Sequence, residues 1–121
     1  MNVTAVKKKK HANLSPEALA MVAGRFRVLG EPSRVRILEE LREGEKNVTE
    51  LVDATGSTQS NVSKHLRVLQ EAGFVGRRQF GNQVFYSIED PCVFDLCDVM
   101  CTSVSERLVR AARLAGELQR R

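Results

Sequence analysis

Between Ser57 and Gly73 the chain reads STQSNVSKHLRVLQEAG, and at helical spacing Val62, Leu66 and Leu69 fall on one apolar line. Ser60, Ser63, Lys64 and Arg67 occupy the other side, with Gln59 and Asn61 in the first turn and no acidic residue before Glu71. One face of this helix is built to pack. The other is rich in donors suited to phosphate oxygens and base edges. Upstream, Asn47 to Thr55 predicts a short helix with Asn47 as its cap. Gly56 breaks it, and Ser57 or Thr58 caps the helix that follows. Downstream, Gly73 closes the long helix. Phe74 to Phe80 and Val84 to Ile88 predict two strands around Gly81-Asn82, carrying Arg77 and Arg78.

The same periodicity organises the two ends. Ser15-Pro16-Glu17 opens a first helix, with Leu19, Val22, Ala23, Phe26 and Leu29 as a buried stripe that ends at Gly30. Glu31-Pro32-Ser33 opens a second, with Val35, Ile37, Leu38 and Leu41 facing the core and Gly44 at its end. Arg34 and Arg36 lie outside that core. Asp90-Pro91 opens the last helix, where Val93, Cys97, Met100, Val104, Leu108, Ala111, Ala115 and Leu118 recur every three or four residues. At about 1.5 Å per residue such a helix runs roughly 40 Å, more apolar face than so small a core can cover. A second copy of the chain is the economical partner. The expected fold is mainly α with a small β-hairpin: a helix-turn-helix followed by a basic hairpin, the winged-helix arrangement, in which the second helix enters the major groove and the wing lies on the adjacent backbone.

Length allows one domain, expected over residues 14–121, preceded by a disordered basic arm over residues 1–13 that holds Lys7 to Lys10 and His11. Lys and Arg number 19 against 15 acidic residues, a net charge of +4 with a sequence pI near 9.3, which biases the chain toward polyanions. With 5% aromatic residues and no Trp, stacking of single-stranded bases is poorly supported, and duplex DNA is the better match. No apolar run is long enough to span a membrane, and no hydrophobic segment follows the lysines as in an export signal, so a cytoplasmic protein is expected.

Three cysteines in such a chain are expected to be thiols rather than disulfides. Cys92, Cys97 and Cys101 all fall on the last helix. Cys97 and Cys101 are one turn apart, about 5 to 6 Å between side chains, and can converge on one soft ion. Cys92 lies about 140° around the helix from Cys97 and joins them only if the first turn bends, or serves a neighbouring subunit. Three thiolates without an obvious fourth ligand suit arsenite or antimonite at least as well as tetrahedral zinc or cadmium. A redox or reactive-sulfur switch on the same thiols is the alternative. No C-x-x-C, Gly-rich nucleotide loop or acid-base pair accompanies them, so an enzyme is not expected.

Two motifs carry a family resemblance. Ser60 to Val75 reads S-x-x-S-x-H-L-x-x-L-x-x-A-G-F-V, and Leu29 to Leu38 reads L-G-E-P-S-R-V-R-I-L. Together they resemble the ArsR/SmtB metalloregulators of bacteria, over about residues 15–120. The resemblance implies a homodimeric winged-helix repressor, joined through its first and last helices, that leaves its operator DNA when a metal, metalloid or thiol-reactive signal binds. It implies DNA contacts by Gln59, Ser60, Asn61, Ser63, Lys64 and Arg67 in the groove and by Arg77 and Arg78 on the wing, allows a phosphate contact by Arg34, and gives His65 a packing or phosphate role. The chain also departs from the family. Thr49 to Ala54 contains no Cys-x-Cys and the last helix no His, so the family's common arsenite, cadmium and zinc sites are missing and the inducer cannot be copied from a relative.

Overall fold

The computed structural model describes residues 13–120. Apart from Asn13, the expected basic arm lies outside the described residues. The elements in chain order are α1 (Pro16–Leu29), α2 (Pro32–Leu41), β1 (Lys46–Asn47), α3 (Val48–Thr55), α4 (Gln59–Glu71), β2 (Val75–Phe80), β3 (Gln83–Ile88) and α5 (Cys92–Gln119). They divide into two compact units, the elements up to Pro91 and the helix that begins at Cys92.

In the first unit the helix boundaries follow from side chains that satisfy the free N–H groups of a first turn. Ser15 Oγ accepts from the Ala18 amide at 3.1 Å, and Glu31 Oε2 accepts from that of Arg34 at 3.2 Å. Asn47 and Glu50 form a reciprocal box at 2.8 and 2.9 Å. Thr58, rather than Ser57, caps α4 by accepting from Asn61 at 3.1 Å. Gly56 takes the left-handed conformation, φ 71°, that lets α3 turn into α4.

The end of α4 places the wing. Gly73 (φ 84°) donates to Gln70 O, and Phe74 donates to Leu69 O, the paired bonds of a Schellman ending. Phe74 and Val75 therefore turn inward at once and are fully buried, and β2 leaves directly from the core. That core is Ile37, Leu38 and Leu41 of α2, Leu51 of α3, and Val62, Leu66 and Leu69 of α4, closed by Phe74 and Val75. The apolar line expected on α4 is thus the line that packs.

The sheet has three strands in the order β1-β3-β2, all antiparallel. β1 was not legible as a strand, because two residues carry no period; it exists because Lys46 and Asn47 pair with Tyr86 and Phe85 on the free edge of β3. β2 starts one residue later than expected and β3 one residue earlier. In the two-residue hairpin turn Gly81 has φ 62°, whereas Asn82 is at negative φ, the signs of a type II′ turn. α2 stops at Leu41, and Gly44, at φ 138°, ends the turn after it.

The α1 stripe differs from the sequence expectation. The stripe on α1 is not buried: the helix has no buried residue, and Leu19, Val22 and Phe26 are 52%, 44% and 57% exposed. Within one chain α1 is held by a polar strap instead. Arg25 Nη2 bonds Asp90 Oδ2 at 2.8 Å, and its guanidinium lies 4.2 Å from the Phe74 ring centre. The apolar face is left without a partner among the described residues.

α5, the second unit, is a single helix of 28 residues. It starts at Cys92, so Pro91 lies just ahead of the helix rather than within its first turn. From Met100 to Arg120 every residue is exposed, including Met100 (64%), Val104 (47%), Leu108 (65%) and Leu118 (73%) of the predicted stripe.

Candidate nucleic-acid interface and cysteine helix

With Val62, Leu66 and Leu69 fixed in the core, the 3.6-residue period turns the rest of α4 outward. Gln59, Ser60, Asn61, Ser63, Lys64 and Arg67 are all exposed. Lys64 and Arg67 make no ion pair among the described residues. The helix offers two uncompensated cations, two amides and two hydroxyls on one convex face.

His65 does not belong to that face. Its side chain is 14% exposed, with Nδ1 3.3 Å from Arg34 Nη1 and Nε2 3.7 Å from Glu31 Oε2. Arg34 in turn donates from Nε to the Val28 carbonyl at 2.6 Å. The imidazole ties α4 to the junction of α1 and α2. Arg34 is half-buried along the same path, spending its Nε and Nη1 on Val28 and His65. Arg36 is exposed and donates to the Ala54 carbonyl at 3.2 Å, lacing α2 to the end of α3.

The wing separates the two arginines that the sequence places side by side. Successive strand residues point to opposite faces. Arg77 shares a face with buried Val75 and pairs across the ladder with Tyr86; Arg78 points the other way, opposite Phe85. Arg77 is exposed and makes no ion pair among the described residues. Arg78 is held by both oxygens of Glu45: Nη2 to Oε1 at 2.5 Å and Nε to Oε2 at 3.2 Å. Its guanidinium also lies 5.2 Å from the Phe85 ring centre and 5.6 Å from that of Phe80. The Arg78 hydrogen bond holds the Glu45 carboxyl below its ordinary pKa, and Glu45 raises that of Arg78. Sequence reasoning missed Glu45, since a bond between residues 45 and 78 has no local signature.

On α5, Cys92 and Cys101 are exposed, Cys97 is half-buried, and none is in a disulfide. Cys97 and Cys101 are one turn apart on a regular helix. That helix is already formed at Cys92, so the bend needed to bring Cys92 round to Cys97 is not present. Among the described residues no group of three or more His, Cys, Asp or Glu side chains converges to hold a metal ion. No helix among the described residues is long and apolar enough to cross a membrane.

The family model for bacterial regulatory proteins of the arsR family matches residues 31–76, from the cap of α2 to the first residues of the wing. The transcriptional regulator NmtR of Mycobacterium tuberculosis is 42% identical over 87 residues, 72% of each chain. The chain belongs to the ArsR/SmtB family. Among solved ArsR-like structures, the homodimeric winged helix-turn-helix DNA-binding domain of Mb0332 from Mycobacterium bovis is similar at a TM-score of 0.71 and 27% identity, covering 83% of this chain and 93% of that one. The antimony-specific transcriptional repressor AntR is similar at a TM-score of 0.72 and 27% identity, covering 84% and 92%. The ArsR/SmtB proteins are DNA-binding transcriptional regulators rather than enzymes, and the exposed row on α4 occupies the recognition-helix position of that fold.

Proposed function

We propose that this protein is a cytoplasmic, homodimeric repressor that binds duplex operator DNA and is released from it by a thiophilic metal or metalloid ion held by Cys97 and Cys101. The observation that carries the DNA half is the α4 surface, where every polar residue except His65 stands clear of the core while Val62, Leu66 and Leu69 anchor the helix. Gln59, Ser60 and Asn61, at the N-terminal end, are suited to read base edges; Lys64, Arg67 and the wing residue Arg77 supply phosphate contacts. The dimer is supported by the uncovered faces of α1 and α5 and by the homodimeric relative. Two copies bring two recognition helices to two half-sites.

For the inducer, two soft thiols one helical turn apart fit a thiophilic ion, with sulfur bonds of about 2.3 Å for zinc. Arsenite and antimonite, which take three thiolates, are favoured over cadmium or zinc, and the antimony specificity of AntR points the same way. The third ligand would come from Cys92 of a neighbouring subunit, since within one chain Cys92 lies on another side of α5. An ion bound on α5 biases the dimer helices and through them the spacing of the recognition helices, a coupling typically worth about 1–3 kcal/mol, or roughly 5- to 150-fold in operator affinity.

The test is operator affinity of wild type, Cys97→Ser and Cys101→Ser under reducing conditions, with and without arsenite, antimonite or cadmium. Wild type should release DNA, and both variants should bind DNA yet resist release. Variants released like the wild type would remove these thiols as the sensor. Release by oxidant or persulfide but by no ion would favour the redox alternative.

A further inference from the structure

Arg78 is one of the two wing cations that the sequence offers to DNA, and the fold has already given it an anion. Both Glu45 oxygens meet its guanidinium in the two-point geometry that a phosphate would use, while Phe80 and Phe85 flank it. The carboxylate comes from the loop before β1, and Lys46–Asn47 pairing with Tyr86 and Phe85 fixes that loop to the wing. Arg77, on the opposite face, has no such partner among the described residues. We infer that Glu45 is an internal competitor for Arg78, standing in for a DNA phosphate, so that the wing meets DNA with one available cation, Arg77, and binds duplexes of arbitrary sequence weakly. The inference rests on the DNA-binding reading of α4 and the wing.

Occupying Arg78 with Glu45 lowers the number of phosphate contacts the wing can make by one. Each phosphate neutralised by a side chain adds about 0.9 to the slope of log affinity against log salt. That contribution is independent of sequence, so a second free wing arginine would strengthen binding to every duplex, and would narrow the ratio between operator and random DNA. Both side chains remain partly open to solvent, 52% for Arg78 and 38% for Glu45, so the carboxylate can be removed without opening the core. Glu45 would then be a specificity-determining residue that touches no DNA.

The experiment measures salt slopes on an operator fragment and on a random duplex for wild type, Glu45→Gln, Arg78→Gln, the double variant and Lys64→Gln, with thermal melts to confirm that each is folded. The expected result is that Glu45→Gln steepens both slopes by about 0.9 and tightens random-duplex binding. Arg78→Gln alone should leave the wild-type slope nearly unchanged, and the double variant should return to it. An Arg78→Gln protein whose slope flattens by a full contact, or a Glu45→Gln protein whose slope does not change, overturns the inference. If Lys64→Gln flattens the slope while Glu45→Gln does nothing, only the role of Glu45 falls. If wild type shows no salt-dependent duplex binding, the DNA-binding reading falls with it. Glu45→Ala repeats the measurement without a side chain that could hydrogen-bond to Arg78.

Discussion

Replacing Leu108 with glutamate tests whether the exposed stripe of α5 is an interface. Leu108 is 65% exposed in the single chain, so a partner could remove about two-thirds of its surface from water. Full burial of a leucine is worth about 1.5–3 kcal/mol, and two-thirds of that is about 1–2 kcal/mol. In an isologous dimer the substitution enters twice, which gives about 2–4 kcal/mol before any cost of placing a carboxylate against apolar surface. At about 1.4 kcal/mol per decade, the dimer dissociation constant should rise roughly 30- to 700-fold. Sedimentation velocity across nanomolar to micromolar concentrations reads this directly. Glu106→Gln, about 160° around the helix from Leu108, is the control and should leave association unchanged. A wild type that stays monomeric at micromolar concentration, or a Leu108→Glu protein that associates like the wild type, would refute the reasoning.

Asn47→Ala removes the cap of α3 and the 3.3 Å bond to Gln83, and should lower stability by about 1 kcal/mol, seen as a drop of a few degrees in a thermal melt; an unchanged melting temperature would show that the box contributes nothing. The Glu45 carboxyl should titrate below free glutamate. Because its folded value is depressed, the pair contributes above the unfolded pKa and is lost as pH falls through the folded one, so in a carboxyl NMR titration Arg78→Gln should move the midpoint upward. Lys64→Gln should weaken binding to all duplexes alike and flatten the salt slope by about 0.9, whereas Asn61→Ala should cost about 1–3 kcal/mol on the operator and little on random DNA. Equal losses on both duplexes for Asn61→Ala would remove it from base readout.

Much of the fold was legible because its signals are local. The α4 line of Val62, Leu66 and Leu69, the Asn47 cap, Gly56 and Gly73 at left-handed positions, and the Gly81 turn each act over four or five residues, and each sits where periodicity and capping placed it. The exposed α4 row follows from the same period, since fixing one face of a helix fixes the other. Tertiary structure decided what depends on distant partners. It made a strand of Lys46–Asn47, turned His65 and Arg34 inward onto Glu31 and Val28, and joined Glu45 to Arg78 across 33 positions of sequence. It also left the α1 stripe uncovered where burial was expected, because apolar periodicity specifies that a face needs a partner without specifying which chain supplies it. The sequence by itself determined which face of α4 packs and which stays polar; only the folded chain decided which of its cations carry an anion of their own, because an ion pair depends on distance in space and not on spacing along the chain.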